Sequence, residues 1–138
     1  METIICETQV GVIKIIKKDN CIHTLKFVNE RITHNTPQFI LDFFMNKPTD
    51  IICVMDGTAF QKLVWEEIVK IPYGKTKTYS EIAAALNKPK AYRAVANACG
   101  KNKIALFIPC HRVVGKNNIG GYEYGVGLKK QLLALEQK

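Results

Sequence analysis

The chain has 138 residues, 47% hydrophobic and 23% charged, with 9 glycines and 5 prolines; that composition excludes collagen, a low-complexity linker and an acidic disordered tail, and the length suffices for one domain or two small lobes. Lys+Arg 20 against Asp+Glu 12 leave +8 at pH 7, and the excess is local: between Lys70 and Lys116 ten basic residues meet the single acid Glu81, giving +9, while the other ten basic and eleven acidic residues give −1. A positive excess confined to one stretch points to a polyanionic partner, nucleic acid foremost, with a solvated basic surface as the plainer alternative.

Thr3–Thr8, Val10–Ile16 and Cys21–Val28 are rich in β-branched residues and predict strands, with Lys17-Lys18-Asp19-Asn20 as the turn before the third. Thr36-Pro37 predicts an N-cap and a first helical position for a helix to about Asn46. Ile51–Met55 predicts a short buried strand. Asp56-Gly57-Thr58 then turns into a helix whose apolar arc holds Phe60, Leu63, Val64, Trp65 and Ile68. Ile71-Pro72-Tyr73-Gly74 breaks that helix.

Thr78-Tyr79-Ser80-Glu81 has capping-box spacing, and Ile82, Ala83 and Leu86 give the following short helix its inner face. Asn87-Lys88 predicts a turn, Pro89 the start of a second helix and Gly100 its close. In that second helix Ala91, Ala94, Val95 and Ala98 are small, and Lys90, Arg93 and Asn97 fall within one turn of each other. A slim helix carrying Arg and Asn suits a DNA groove as part of a helix–turn–helix, and a simple packed αα-hairpin explains the same residues. Ile104–Ile108 predicts a buried strand that Pro109 ends. From Gly127 a helix follows with Leu128, Leu132, Leu133 and Leu135 in its apolar arc; Glu136 falls inside the arc, where a carboxylate needs a partner. The expected fold class is α/β (α+β): a small β-rich N-terminal lobe over 1–56, then a mainly helical domain over 57–138.

No apolar run approaches the roughly 18–20 residues that span a bilayer. Met1-Glu2-Thr3 lacks the basic and apolar regions of a signal peptide, so a cytoplasmic or nuclear chain without a membrane partner is expected. Cys6, Cys21, Cys53, Cys99 and Cys110 contain no Cys-x-x-Cys pair, which argues against a disulfide framework. Cys21 and His23 alternate on one strand face, with Cys6 and His34 in the same lobe. Buried thiols and surface histidines explain these residues better than zinc, and no metal is expected.

Cys110 stands where the predicted strand gives way to a loop, a position that fixes a side chain well. A thiol of pKa about 8.5 is only slightly ionised at neutral pH, so a nucleophile there needs a base. His111 is the adjacent base, and Glu136 the candidate third member that orients it. The pair alone also fits a buried structural thiol beside a hydrogen-bonded loop histidine.

Ile108-Pro109-Cys110-His111-Arg112-Val113-Val114-Gly115 resembles the active-site motif of the O6-alkylguanine-DNA alkyltransferases. Phe60-Gln61 with Val64-Trp65, Ile71-Pro72-Tyr73-Gly74, Pro89-Lys90-Ala91 with Arg93-Ala94-Val95, Gly100-Lys101-Asn102, Gly120-Gly121-Tyr122, and Lys129 with Leu132-Leu133 and Glu136 also match that family in order and spacing. The resemblance covers essentially all of Gly57–Glu136. Residues 1–56 carry no motif, and their β-rich pattern agrees with the small lobe that precedes the catalytic domain in the family.

The resemblance implies DNA repair by direct reversal. An alkyl group passes irreversibly from O6 of guanine, and more slowly from O4 of thymine, in double-stranded DNA to a cysteine, once per molecule and without a cofactor. By position Cys110 is the acceptor, His111 its base through a water, and Glu136 the carboxylate holding the imidazole. Tyr79 is the phenol that gives a hydrogen bond or proton to the departing guanine, and Asn102 anchors the turn before Cys110. Arg93 is the finger that replaces the flipped base, on a minor-groove helix with Lys90, Ala91, Ala94 and Asn97. Val113 and Val114, with Tyr122, Glu123, Tyr124 and Gly125, wall the base pocket, and the protein is a monomer. Glu123-Tyr124 departs from the family's small residues there, and Ala96-Asn97 replaces its usual glycine pair. Relatives that bind alkylated bases without transfer typically lack the cysteine, so Cys110 argues against that reading.

Overall fold

β1 (Glu2–Thr8), β2 (Gly11–Lys18) and β3 (Cys21–Phe27) form an antiparallel meander in the computed structural model, which describes residues 1–137. β-Branched residues favour the pleated backbone, and in β2 buried Ile13 and Ile15 alternate with less buried neighbours, as a one-sided core requires. β1 buries Ile4, Ile5 and Cys6 in succession. Its outer edge is covered: Thr33 N–H and His34 N–H both donate to Ile5 O, and Thr36 Oγ1 donates to Glu7 O. β4 (Ile52–Cys53) adds in parallel to β3, completing the order β1-β2-β3-β4.

Local differences from the sequence reading have local causes. The first helix, α1 (Gln38–Phe44), has Pro37 as its N-cap, and the Thr36 hydroxyl donates to Glu7 O instead of capping the helix. β4 is shorter than Ile51–Met55, and Ile52 is exposed at the sheet edge. Ile104–Ile108 forms no strand. Ile104 makes a single parallel bridge to Leu25, whose N–H donates to Lys103 O and whose carbonyl accepts from Ala105 N–H. Leu106 then adopts φ 70°, a left-handed conformation that breaks extended pairing.

The chain divides into two compact units, Met1–Asp56 with Lys103–Phe107, and Gly57–Asn102 with the chain from Ile108 onward. In the first, Phe107 packs against Phe39 and Phe43 of α1. In the second, α2 (Ala59–Val69) starts from a capping box in which Thr58 accepts from Gln61 N–H and the Gln61 side chain accepts from Thr58 N–H. α2 buries Val64, Trp65 and Ile68, and the Trp65 indole donates to Ala98 O at 2.9 Å. Leu63 is 47% exposed and lies off that face, unlike the expectation from its spacing.

β5 (Lys77–Thr78) pairs in parallel with β6 (Val113–Val114). Thr78 and Glu81 form the expected capping box of α3 (Tyr79–Ala85). α4 (Tyr92–Gly100) begins later than Pro89: Pro89-Lys90-Ala91 stay in the turn, closed by Ala91 N–H donating to Lys88 O. A one-turn 3-10 helix, Cys110–Arg112, precedes β6, and α5 (Val126–Glu136) follows. Among the described residues no helix is long and apolar enough to cross a membrane.

Candidate active site

Cys110 opens the 3-10 turn instead of ending a strand, and its N–H donates to Ile108 O at 2.7 Å. The Asn102 amide donates both to Ile108 O at 2.9 Å and to Cys110 Sγ at 3.3 Å. One side chain thereby positions the backbone before the thiol and the sulfur itself. The Cys99 thiol hydrogen-bonds with Cys110; that contact, together with burial, raises the Cys110 pKa well above the ordinary range, and Asn102 and the Lys129 charge oppose the rise only in part. The resting group is a neutral thiol.

The next residue offers a candidate base. His111 is fully buried and its Nε2 lies 2.8 Å from Glu136 Oε2. Burial lowers the His111 pKa, with the charges of Arg112 and Lys129 adding to the effect, and the hydrogen bond and charge of Glu136 only partly compensate. The ring is therefore neutral. Its proton sits on Nε2, facing the carboxylate, and leaves Nδ1 as a lone pair. Among the described residues Nδ1 is the buried side-chain nitrogen or oxygen without a hydrogen-bond partner.

Glu136 is buried on α5, as its place in the apolar arc predicts. Arg112 Nε donates to its Oε1 at 2.8 Å and Arg112 Nη2 to its Oε2 at 2.9 Å, while Arg112 Nη1 donates to Ile71 O at 2.9 Å. The guanidinium also lies over the Tyr73 ring, 5.5 Å from its centre. Burial alone would raise the Glu136 carboxyl, but the hydrogen bonds and charges of His111 and Arg112 override it and bring the pKa down to about 2.

Lys129, two turns nearer the N-terminus of α5, is fully buried and donates to Val113 O at 2.6 Å and Gly121 O at 2.9 Å. It ties the strand after the Cys110–Arg112 turn to the loop before α5. Burial lowers its pKa to about 8. Its ammonium lies 5.8 Å from the centre of the Tyr79 ring. Tyr79, the first residue of α3, accepts a hydrogen bond from Gly121 N–H, and burial raises its pKa. Gly120 has φ 74°, and a Cβ there would lie 2.6 Å from Tyr79 Oη. Glycine satisfies both constraints.

Val113 is buried and Val114 half-buried. The Tyr122 ring meets His111 edge-on at 6.5 Å and Tyr124 at 5.6 Å. Burial raises both phenols, Tyr124 to about 12 with a contribution from the Glu123 charge. Glu123 and Gly125 are exposed. On α4, Val95 and Ala98 are buried, whereas Arg93, Ala94 and Asn97 form an exposed strip, with exposed Lys90 and half-buried Ala91 in the turn before it.

Cys110, His111, Glu136 and Asn102 thus come together, with Tyr79 joined to them through Lys129 and the Gly120-Gly121 loop. Arg93, Lys90, Ala94 and Asn97 form a separate surface. Sequence reasoning missed Arg112 and Lys129 as site residues. Arg112 was counted with the basic surface, yet a carboxylate in an apolar arc calls for a cation. Lys129 shares the arc of Leu132 and Glu136 at helical spacing. Among the described residues no three His, Cys, Asp or Glu side chains group to hold a metal.

The family model described as 6-O-methylguanine DNA methyltransferase, DNA binding domain, matches residues 59–138. The chain is 45% identical over 146 residues to the probable methylated-DNA–protein-cysteine methyltransferase of Acanthamoeba polyphaga mimivirus, covering 100% of this chain and 98% of that protein. It is 49% identical over 89 residues to the methylated-DNA–protein-cysteine methyltransferase of Methanosarcina barkeri, across 64% of this chain and 56% of that one. The crystal structure of Mycobacterium tuberculosis OGT in complex with DNA superposes with a TM-score of 0.85 at 32% identity, covering 96% of this chain and 91% of that one.

Proposed function

The chain belongs to the family of methylated-DNA–protein-cysteine methyltransferases, and from that premise we propose that Cys110 accepts the alkyl group of O6-alkylguanine in duplex DNA. O4-alkylthymine is a slower substrate of the same site. The observation that carries the reading is the buried relay in which Glu136 holds His111 Nε2 at 2.8 Å and leaves Nδ1 as the available base.

The chemistry follows from the charges. Cys110 rests as a thiol, so its proton leaves as the substrate arrives, through a water to His111 Nδ1. Asn102 and the Lys129 charge stabilise the thiolate that forms. Sulfur attacks the alkyl carbon, an S–C bond forms and the C–O bond breaks, and the electron pair stays with guanine. Guanine leaves poorly as an anion, and the Tyr79 phenol donates the compensating hydrogen bond or proton. Nothing in the site cleaves the thioether, so each molecule acts once.

The target atom lies inside the duplex, and flipping its nucleotide costs a few kcal/mol, least for a damaged or mispaired base. α3, the turn and α4 act as the helix–turn–helix. The exposed strip of Arg93, Ala94 and Asn97 enters the minor groove, and Arg93 fills the vacated place in the stack. The small Ala94 permits close approach. The protein works as a monomer.

Intact-protein mass spectrometry after incubation with duplex DNA containing O6-methylguanine tests this reading. One alkyl mass is expected, on the peptide containing Cys110, and none in Cys110→Ser. Transfer that survives in Cys110→Ser overturns it.

A further inference from the structure

Cys99 has no part in the relay just described, yet its position is defined. It lies in the last turn of α4, half-buried, and its thiol meets that of Cys110. Asn102 ties the two positions together: its N–H donates to Cys99 O at 3.2 Å, and its side chain donates to Ile108 O and Cys110 Sγ. The remaining cysteines, Cys6, Cys21 and Cys53, belong to the other unit, and none of the five is bridged.

We propose that Cys99 and Cys110 form a reversible disulfide under peroxide, which masks the acceptor sulfur and protects it from irreversible oxidation. This rests on Cys110 being the alkyl acceptor. Asn102 holds the Cys99 backbone at 3.2 Å and the Cys110 sulfur at 3.3 Å, so one residue keeps the two cysteines side by side, and closing the S–S bond to about 2.05 Å asks for side-chain rotation within that turn.

The half-exposed Cys99 is the sulfur that peroxide meets first, because Cys110 is buried and held as a thiol. The Cys99 sulfur attacks peroxide, an S–O bond forms and the O–O bond breaks, and the departing hydroxide takes the Cys99 thiol proton, leaving Cys99 sulfenic acid and one water. Cys110 sulfur then attacks the Cys99 sulfur; the S–S bond forms, the S–O bond breaks, and the departing hydroxide takes the Cys110 proton as a second water. Two thiols lose two electrons and one peroxide gains them. A lone cysteine would continue to the sulfinic acid, which a dithiol does not reverse.

Full-length protein treated with hydrogen peroxide and digested with trypsin without reductant should yield Ala94–Lys101 linked to Ile104–Arg112, lighter by two hydrogens than the separate peptides. Alkyl acceptance should disappear with the cross-link and return on reduction with dithiothreitol. In Cys99→Ser, at a peroxide exposure long enough to oxidise the buried Cys110, acceptance recovered after the same cycle, relative to that variant's untreated value, should fall at least about fivefold below wild type, because no partner thiol captures the Cys110 sulfenic acid before it passes to the sulfinic stage. Absence of the linked peptide in wild type, or equal recovery in Cys99→Ser, overturns the proposal. Cross-linking and alkyl acceptance are read separately. A linked peptide in a protein that never takes an alkyl group on Cys110 supports the disulfide and overturns the proposed function instead.

Discussion

Oε2 of Glu136 lies 2.8 Å from Nε2 of His111 and also accepts from Arg112 Nη2 at 2.9 Å, so one carboxylate oxygen fixes the histidine tautomer while neutralising a buried cation. Glu136→Gln keeps the size and removes the charge. Arg112 is then buried against a neutral amide, and the loss of folding stability is expected to be about 3–5 kcal/mol, read by urea unfolding. Alkyl transfer should fall on the order of 100-fold, because the amide no longer holds the imidazole proton on Nε2.

The same pair sets the response to acid. The folded His111 pKa is below its ordinary value and the folded Glu136 pKa is about 2, so in both cases the unfolded chain binds protons before the folded one does. Their contribution is complete above the ordinary imidazole value of about 6.5. It declines below that as unfolded His111 protonates, and declines again from about 4.3 towards 2 as unfolded Glu136 does. Each proton gives a slope of up to about 1.4 kcal/mol per pH unit. Urea midpoints between pH 7 and pH 3 should fall in these two stages, with the upper stage absent in His111→Gln.

Gly120→Ala tests the loop that packs against the Tyr79 phenol. Its φ of 74° and the 2.6 Å from an added Cβ to Tyr79 Oη leave the side chain no room. A stability loss of about 1–2 kcal/mol is expected from the backbone. If the loop serves to place the phenol, the transfer rate should drop to that of Tyr79→Phe, and adding Gly120→Ala to Tyr79→Phe should cost little further rate.

The strands β1 to β3 and the capping box of α3 were legible because their signals are local: side-chain alternation, and a hydroxyl spaced from a glutamate. Ile104–Ile108 misled because five apolar residues satisfy a strand pattern, while only the tertiary structure pairs Ile104 with Leu25 and turns the chain at Leu106. The start of α4 misled for a related reason: Pro89 suits a first helical turn, yet it lies in the preceding turn. In the site, Glu136 was legible as a buried carboxylate. Its second partner, Arg112, was not, since residues 24 apart in sequence meet only through folding.

Arg93 is exposed on α4, so Arg93→Ala should leave stability within about 0.5 kcal/mol. Repair of duplex substrate should slow on the order of 10-fold or more, with reaction on free alkylguanine base changed less than about twofold, because only the duplex requires a flipped nucleotide to be replaced. Equal slowing of both reactions would remove the finger role.

The charge that searches DNA is smaller than the sequence total implies. Arg112 is buried and neutralised by Glu136, whereas Lys75, Lys77, Lys88, Lys90, Arg93, Lys101 and Lys116 of the same unit are exposed. With about five of these on phosphates, log affinity should fall with log salt at a slope near −4 to −5. Lys90→Ala should reduce the slope by about 1, and a steeper slope than the exposed set allows would place further contacts elsewhere.

The chain's threading has an evolutionary consequence. It leaves the second unit after Asn102, folds Lys103–Phe107 into the first, and returns at Ile108 just ahead of Cys110. Ile104, Ala105 and Leu106 are almost wholly buried there, and the stretch lies inside residues 59–138, the span of the family match. No single cut in such a chain separates two self-sufficient modules. A lineage that discarded the N-terminal unit would therefore have to find another cover for the peptide that leads into Cys110.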